Sequence, residues 1–176
     1  MDDCKSLIVK LRKIMNDKRI IGFRYEATGV FGYAFYSNTE KLCSVSSLVV
    51  PSPTVMIDGY GRMWESNIME SVTYPGVTRY IMDRESKKQV AKIEYKEAGY
   101  FVINNMVIAK CEPEKYVFIR TGDTIAEIIR FEGRADWMPD NSYMDYKAYF
   151  EVTMNCELDE EWKLLIMAFP MLKDRS

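Results

Sequence analysis

The segment that most restricts what this chain can fold into is ELDEEWKLLIMAFPML, Glu157 to Leu172. Glu157, Asp159, Glu160 and Glu161 crowd its start, where carboxylates meet the positive end of a helix dipole, and Lys173 and Arg175 follow its end. Between them Trp162, Leu164, Leu165, Ile166, Met167, Ala168 and Phe169 leave an apolar surface all round, interrupted only by Lys163. A helix of that kind is buried on every side or lies in a membrane. It falls short of the ~20 residues that cross a bilayer, so burial is expected. Pro170 is expected to end or kink it near Phe169. Burying roughly six or seven large side chains gives a gross gain of order 10–20 kcal/mol before entropy. Such a helix needs a wall around it, and the preceding chain offers strands.

From Ile20 onward the texture is one of short apolar and aromatic runs broken by Gly, Pro, Asn and Asp. IIGFRY, VFGYAFY, LCSVSSLVV, TVMI, SNIMESVTY, VTRYIMD, QVAKIEY, GYFVI, MVIAK, KYVFIRT, TIAEIIRF and KAYFEVTM read as strands. No helical periodicity intervenes, which argues against a doubly wound βαβ sheet. In QVAKIEY, Ala91, Ile93 and Tyr95 share one face; in KAYFEVTM, Ala148, Phe150, Val152 and Met154 do. One wet and one dry face is the signature of antiparallel sheet. KYVFI lacks the alternation and reads as covered on both sides. RYIMDRESKKQVAKIEY echoes KYVFIRTGDTIAEIIRF, aligning Tyr80 with Tyr116 and Ile93 with Ile129, which reads as a recurring hairpin rather than a duplication.

Near the start, Leu7, Ile8, Leu11, Ile14 and Met15 form one apolar stripe beside Lys5, Lys10, Arg12 and Lys13. A short amphipathic helix over residues 1–16 is expected, packed inward, lying on an anionic membrane, or joining two copies. Together these elements predict one mainly β domain over 1–176. Strands over 20–154 are expected to curl into an antiparallel barrel around a buried helix at 158–171.

The hairpin RYIMDRESKKQVAKIEY, the later VFIRTGDTIAEIIRF and the final YFEVTMNCELDEEWKLLIMAFPML resemble the closing part of the tubby C-terminal-like superfamily. That group takes in the tubby domain, the phospholipid scramblases and the LURP-one-related proteins. The resemblance covers roughly residues 77–172 and implies a closed barrel of about twelve strands around a hydrophobic C-terminal helix. In that superfamily the tubby domain binds phosphoinositides through basic residues. The nearest match here is the turn RESKK, which makes Arg84, Lys87 and Lys88 the candidate anionic-ligand site. Scramblases carry a cysteine-rich region and a calcium-binding segment. This chain has neither a cysteine cluster nor an Asp-x-Asp-x-Asp loop, so scramblase activity is not implied.

Composition narrows function by exclusion. The chain has no histidine, which removes histidine-dependent triads, Cys-His pairs, imidazole metal sites and a histidine pH switch. Acid–base chemistry would have to come from Asp, Glu, Lys, Tyr or Cys. Cys4, Cys43, Cys111 and Cys156 lack C-x-x-C spacing and read as free thiols in a reducing compartment. A net charge of −2 argues against nucleic acid as a partner. GYGRMWE lacks the order of a phosphate loop and reads as a turn, with Tyr60 and Trp64 either walling a ligand or packing on a strand. No catalytic, metal or cofactor site is expected. The sequence therefore predicts a cytoplasmic, peripherally membrane-associated binding or scaffolding module, its outer surface engaging an anionic lipid headgroup or a protein partner. The alternatives are an enzyme with a Lys/Tyr/carboxylate groove and an assembly protein dimerising through its N-terminal helix.

Overall fold

The computed structural model describes residues 20–27, 30–37, 40–48, 54–69, 78–97, 99–133 and 144–173. The expected helix over 1–16 lies outside them, as do residues 70–74 of SNIMESVTY and residues 134–143 before KAYFEVTM. The strands are β1 (Ile20–Ala27), β2 (Val30–Ser37), β3 (Glu40–Leu48), β4 (Thr54–Gly59), β5 (Arg62–Met69), β6 (Thr78–Asp83), β7 (Gln89–Tyr95), β8 (Tyr100–Ile103), β9 (Val107–Glu112), β10 (Lys115–Arg120), β11 (Asp123–Glu132) and β12 (Met144–Met154). Each pairs antiparallel with its neighbours in the chain, and β1 pairs with β12 to close a twelve-stranded barrel. One α-helix, α1 (Glu160–Leu172), follows. Closure leaves no sheet edge to template aggregation.

Alternation of burial aligns most strands around one large core, while Ile21 and Tyr149, with Phe23 and Phe131, form a second small cluster where β1 meets β12. Val55 and Ile57 of β4, Ala91 and Ile93 of β7, Tyr116 and Phe118 of β10, and Ala148, Phe150 and Val152 of β12 are all buried. On β10 the intervening Val117 and Ile119 are only half-buried, so KYVFI has one dry face rather than two. The hairpin echo does not carry side chains to equivalent places. Tyr80 is half-buried where its counterpart Tyr116 faces the core, and Ile93 is buried where Ile129 is half-exposed. A one-residue offset in a period of two exchanges the faces, so the two hairpins resemble each other as strings and not as packed units.

The turn in GYGRMWE is tight. Tyr60 and Gly61 both take left-handed backbone (φ 51° and 70°), as do Thr121 and Gly122 between β10 and β11 (49° and 84°). Paired positive φ is the two-residue turn whose twist matches that of its strands. It sets Arg62 directly opposite Gly59, so β5 starts at Arg62 and not, as the sequence suggests, at Ser66.

Every connection from β1 to β12 joins antiparallel neighbours, so alternate connections lie at the same end of the barrel. The start of β1, the β2–β3, β4–β5, β6–β7, β8–β9 and β10–β11 turns, and the end of β12 share the end at which α1 begins. Asp159 caps the helix there, its Oδ1 accepting the Trp162 N–H at 2.9 Å. Leu164 through Leu172 are all buried and join the core cluster of the strands. The Cys43 thiol on β3 donates to Met167 Sδ at 3.7 Å. On another side, Phe169 meets Phe101 of β8 and Tyr116 and Phe118 of β10 edge-on, with centroids 5.3, 5.7 and 5.2 Å away.

Pro170 does not end the helix. Backbone pairing resumes beyond it, Lys173 N–H donating to the Phe169 carbonyl at 3.0 Å. The missing Pro170 N–H forfeits one intrahelical bond, but Met171 and Leu172 gain burial worth roughly 1.5–3 kcal/mol each by continuing.

Candidate functional site

The chain converges most at the end of the barrel where α1 begins. Ile20 opening β1, Ser37 closing β2, Leu42 on β3, the turn residue Tyr60, Met154 closing β12, and Asn155 to Leu158 leading into the helix line a cleft of about 390 Å3 with Lys163 of α1. Its apolar wall is Ile20, Leu42, Met154 and Leu158; the remaining lining residues are polar or titratable. An apolar cleft with a few placed polar groups is the usual form of a small-molecule site, and ~300–1,000 Å3 is the usual size.

Some polar groups here serve the fold. The Asn155 side chain donates to the Thr124 carbonyl at 3.1 Å and its N–H to the Ile125 carbonyl at 2.8 Å, tying the chain after β12 back to β11. Arg62, next to the turn, pairs with Glu160 at 2.6 Å and lies 4.0 Å from Glu161, joining β5 to the first helical turn. Glu160 and Glu161 are thereby committed to the helix start.

Other groups have no partner. The Tyr60 hydroxyl, the Ser37 hydroxyl, the Cys156 thiol, the Glu157 carboxylate and the Lys163 ammonium make no hydrogen bond or ion pair among the described residues. Burial, reinforced by Cys43, Glu160 and Glu40, pushes the Tyr60 hydroxyl up to about 12, so it stays a neutral donor at physiological pH. Lys163 and Glu157 carry opposite charge into one cleft without closing an ion pair.

Arg84, Lys87 and Lys88, the site expected from RESKK, sit in the β6–β7 turn at the same end of the barrel. The Arg84 N–H donates to the Met63 carbonyl at 2.9 Å, holding this turn against β5 beside the Tyr60 turn. Its guanidinium is compensated: Nε lies 3.8 Å from Glu65, and Nη1 lies 3.3 Å from Met63 Sδ. Converging turn N–H groups could cradle an anion, but Asp83 already occupies them. Its Oδ1 accepts from Glu85 N–H at 3.0 Å and Ser86 N–H at 2.8 Å, and these bonds, the Ser86 N–H foremost, hold the carboxyl below its ordinary range. Lys87 and Lys88 remain exposed, with ammonium groups unpaired among the described residues.

The paired reading of Tyr60 and Trp64 divides. Tyr60 lines the cleft, while Trp64, 1% exposed, belongs to the core. Lys163 was visible in the sequence as the single break in an apolar helix, and its place in the cleft accounts for that break. Glu157 and Cys156 carried no signal beyond their position before the helix. Cys43, Cys111 and Cys156 form no disulfide among the described residues; Cys4 lies outside them. Among the described residues no helix is long and apolar enough to cross a membrane. No family model, curated protein or solved structure matches this chain.

Proposed function

We propose that this chain is a non-enzymatic binding module of tubby-like architecture, with α1 as the axle of the barrel and the ligand taken at the end where that helix begins. The observation that carries the reading is the contrast between interior and entry end. Phe169 is walled in by three rings from β8 and β10, which leaves the interior to packing. The cleft at the entry end keeps apolar wall and unspent polar groups in the open. Tyr60, the lining residue whose acidity is resolved as shifted, moves away from neutrality, opposite to what a general base at neutral pH needs.

The ligand carries an anionic group. Lys163 in the cleft and Lys87 and Lys88 on a turn at the same end are cations that close no ion pair among the described residues. An anionic lipid headgroup at a cytoplasmic membrane surface presents such a group, and the protein would meet it peripherally. A protein partner is the second reading, favoured by Tyr100, Met106 and Ile108, which stand 37%, 57% and 41% exposed around the β8–β9 hairpin.

Co-sedimentation with vesicles tests the first reading. Anionic vesicles should carry down wild-type protein, neutral ones less, and Lys87→Glu/Lys88→Glu protein should stay in solution. Equal and negligible binding to both vesicle types removes the membrane reading and leaves the partner surface.

A further inference from the structure

The two charges in the cleft specify more than an anion. At this end Arg62 pairs with Glu160, and Arg84 lies 3.8 Å from Glu65. Lys163 and Glu157 line the same cleft of about 390 Å3 and stay open, to each other and to every other described residue. A purely anionic ligand would satisfy Lys163 but share the cleft with the exposed Glu157 carboxylate, like charge beside like. A purely cationic ligand would do the converse to Lys163. Either meets repulsion from the like charge that lines the same cleft. A ligand with both charges meets both groups.

The rest of the lining sets its body. Ile20, Leu42, Met154 and Leu158 offer apolar surface in the same cleft, and the neutral Tyr60 and Ser37 hydroxyls can donate to an oxyanion. We infer that the cleft takes a zwitterion bearing a short apolar chain, its anionic group at Lys163 and its cationic group at Glu157. The inference rests on the reading of this cleft as the ligand site. A free α-amino acid with an apolar side chain and a zwitterionic lipid headgroup share the required chemistry.

Calorimetric titration of the full chain with four soluble probes separates these cases: norleucine, hexanoate, hexylamine, and dihexanoylphosphatidylcholine below its micelle concentration. At least one zwitterion should bind about tenfold more tightly than hexanoate and hexylamine, the weight of one charge-assisted contact. Norleucine as the tighter zwitterion identifies a free amino acid; the phosphatidylcholine identifies a headgroup. Lys163→Gln and Glu157→Gln should each cost the zwitterion about tenfold, while hexanoate should respond only to Lys163→Gln. The double exchange Lys163→Glu/Glu157→Lys should recover zwitterion binding that Lys163→Glu alone destroys, a result that misfolding would not produce. Hexanoate binding as tightly as both zwitterions overturns the inference and leaves an anion-binding module standing. Failure of all four probes while vesicles still bind also overturns it, and failure of probes and vesicles together takes the membrane reading with it.

Discussion

A methyl group added at Gly59 would fall 2.8 Å from Leu164 Cδ2, so the end of β4 and the first buried turn of α1 meet with no room between them. The same methyl would lie 2.7 Å from the Leu42 carbonyl oxygen and 2.6 Å from the Cys43 Cβ. A backbone oxygen in a paired strand cannot swing aside as a side-chain tip can. Gly59→Ala should therefore destabilise the protein by about 1–3 kcal/mol. Urea unfolding should show a lower midpoint at unchanged slope. Adding Leu164→Ala should not restore stability, because the Leu42 and Cys43 contacts persist.

Phe169 is the second test of the helix–barrel contact. It is fully buried and meets rings from two strands at once. Phe169→Ala should cost about 3–5 kcal/mol and Phe169→Leu markedly less, because leucine refills much of the cavity. Similar costs for the two would mean that these edge-on ring contacts, and not the filled volume, hold the helix in place.

Ser66 faces inward from β5, fully buried, and its hydroxyl has no partner among the described residues. Replacing it with alanine removes a desolvated donor and opens little space. Ser66→Ala should be stabilising by up to about 1 kcal/mol, a rise of roughly 2–4 °C in Tm. A fall in Tm on calorimetry would mean that the hydroxyl is satisfied in the folded protein.

Alkaline pH should weaken the fold through two neighbouring groups. Burial pushes the Cys43 thiol from its ordinary 9.0 to about 12, with Asp58 adding to the shift and Lys41 opposing it. Tyr60 moves from 10.0 to about 12. Between the unfolded and folded values the unfolded chain releases protons that the folded chain retains, so stability is full below pH ~9 and falls toward pH ~12. Cys43→Ala/Tyr60→Phe protein should lose less stability than wild type across that window, as urea midpoints at successive pH values will report. Parallel losses would assign the alkaline weakening to other groups.

Thiol labelling should separate the cysteines by the same physics. Thiolate is the reactive form, and Cys43 is both 1% exposed and held protonated, whereas Cys156 is exposed. In native protein at pH 8, iodoacetamide should modify Cys156 within the time that leaves Cys43 unlabelled, and peptide mass mapping should show both labelled in denaturant. Prompt native labelling of Cys43 would mean that β3 opens away from Met167.

The parts of this protein legible from the chain are those that depend on local periodicity. The dry face Ala148, Phe150, Val152 of β12 and the apolar run from Leu164 follow from periods of two and from the absence of any polar face, and both are buried as read. Even the weak echo between hairpins was correctly limited, since its aligned pairs fall on opposite faces. That the helix continues past Pro170 is decided by tertiary structure, because the local cost is visible in the chain while the burial of Met171 and Leu172 that outweighs it is not. The site was the least legible part. Basic residues adjacent in RESKK stand out in a string, but the Asp83 carboxylate filling their turn does not. The cleft gathers Ile20, Tyr60, Met154 and Lys163 from positions spread over most of the chain. Its wall is a property of barrel closure, which brings Ile20 at the start of β1 beside the end of β12, whereas Glu157 and Lys163 are neighbours around the start of one helix. Periodicity reports which way each side chain faces; only the closed sheet sets which of them face one another.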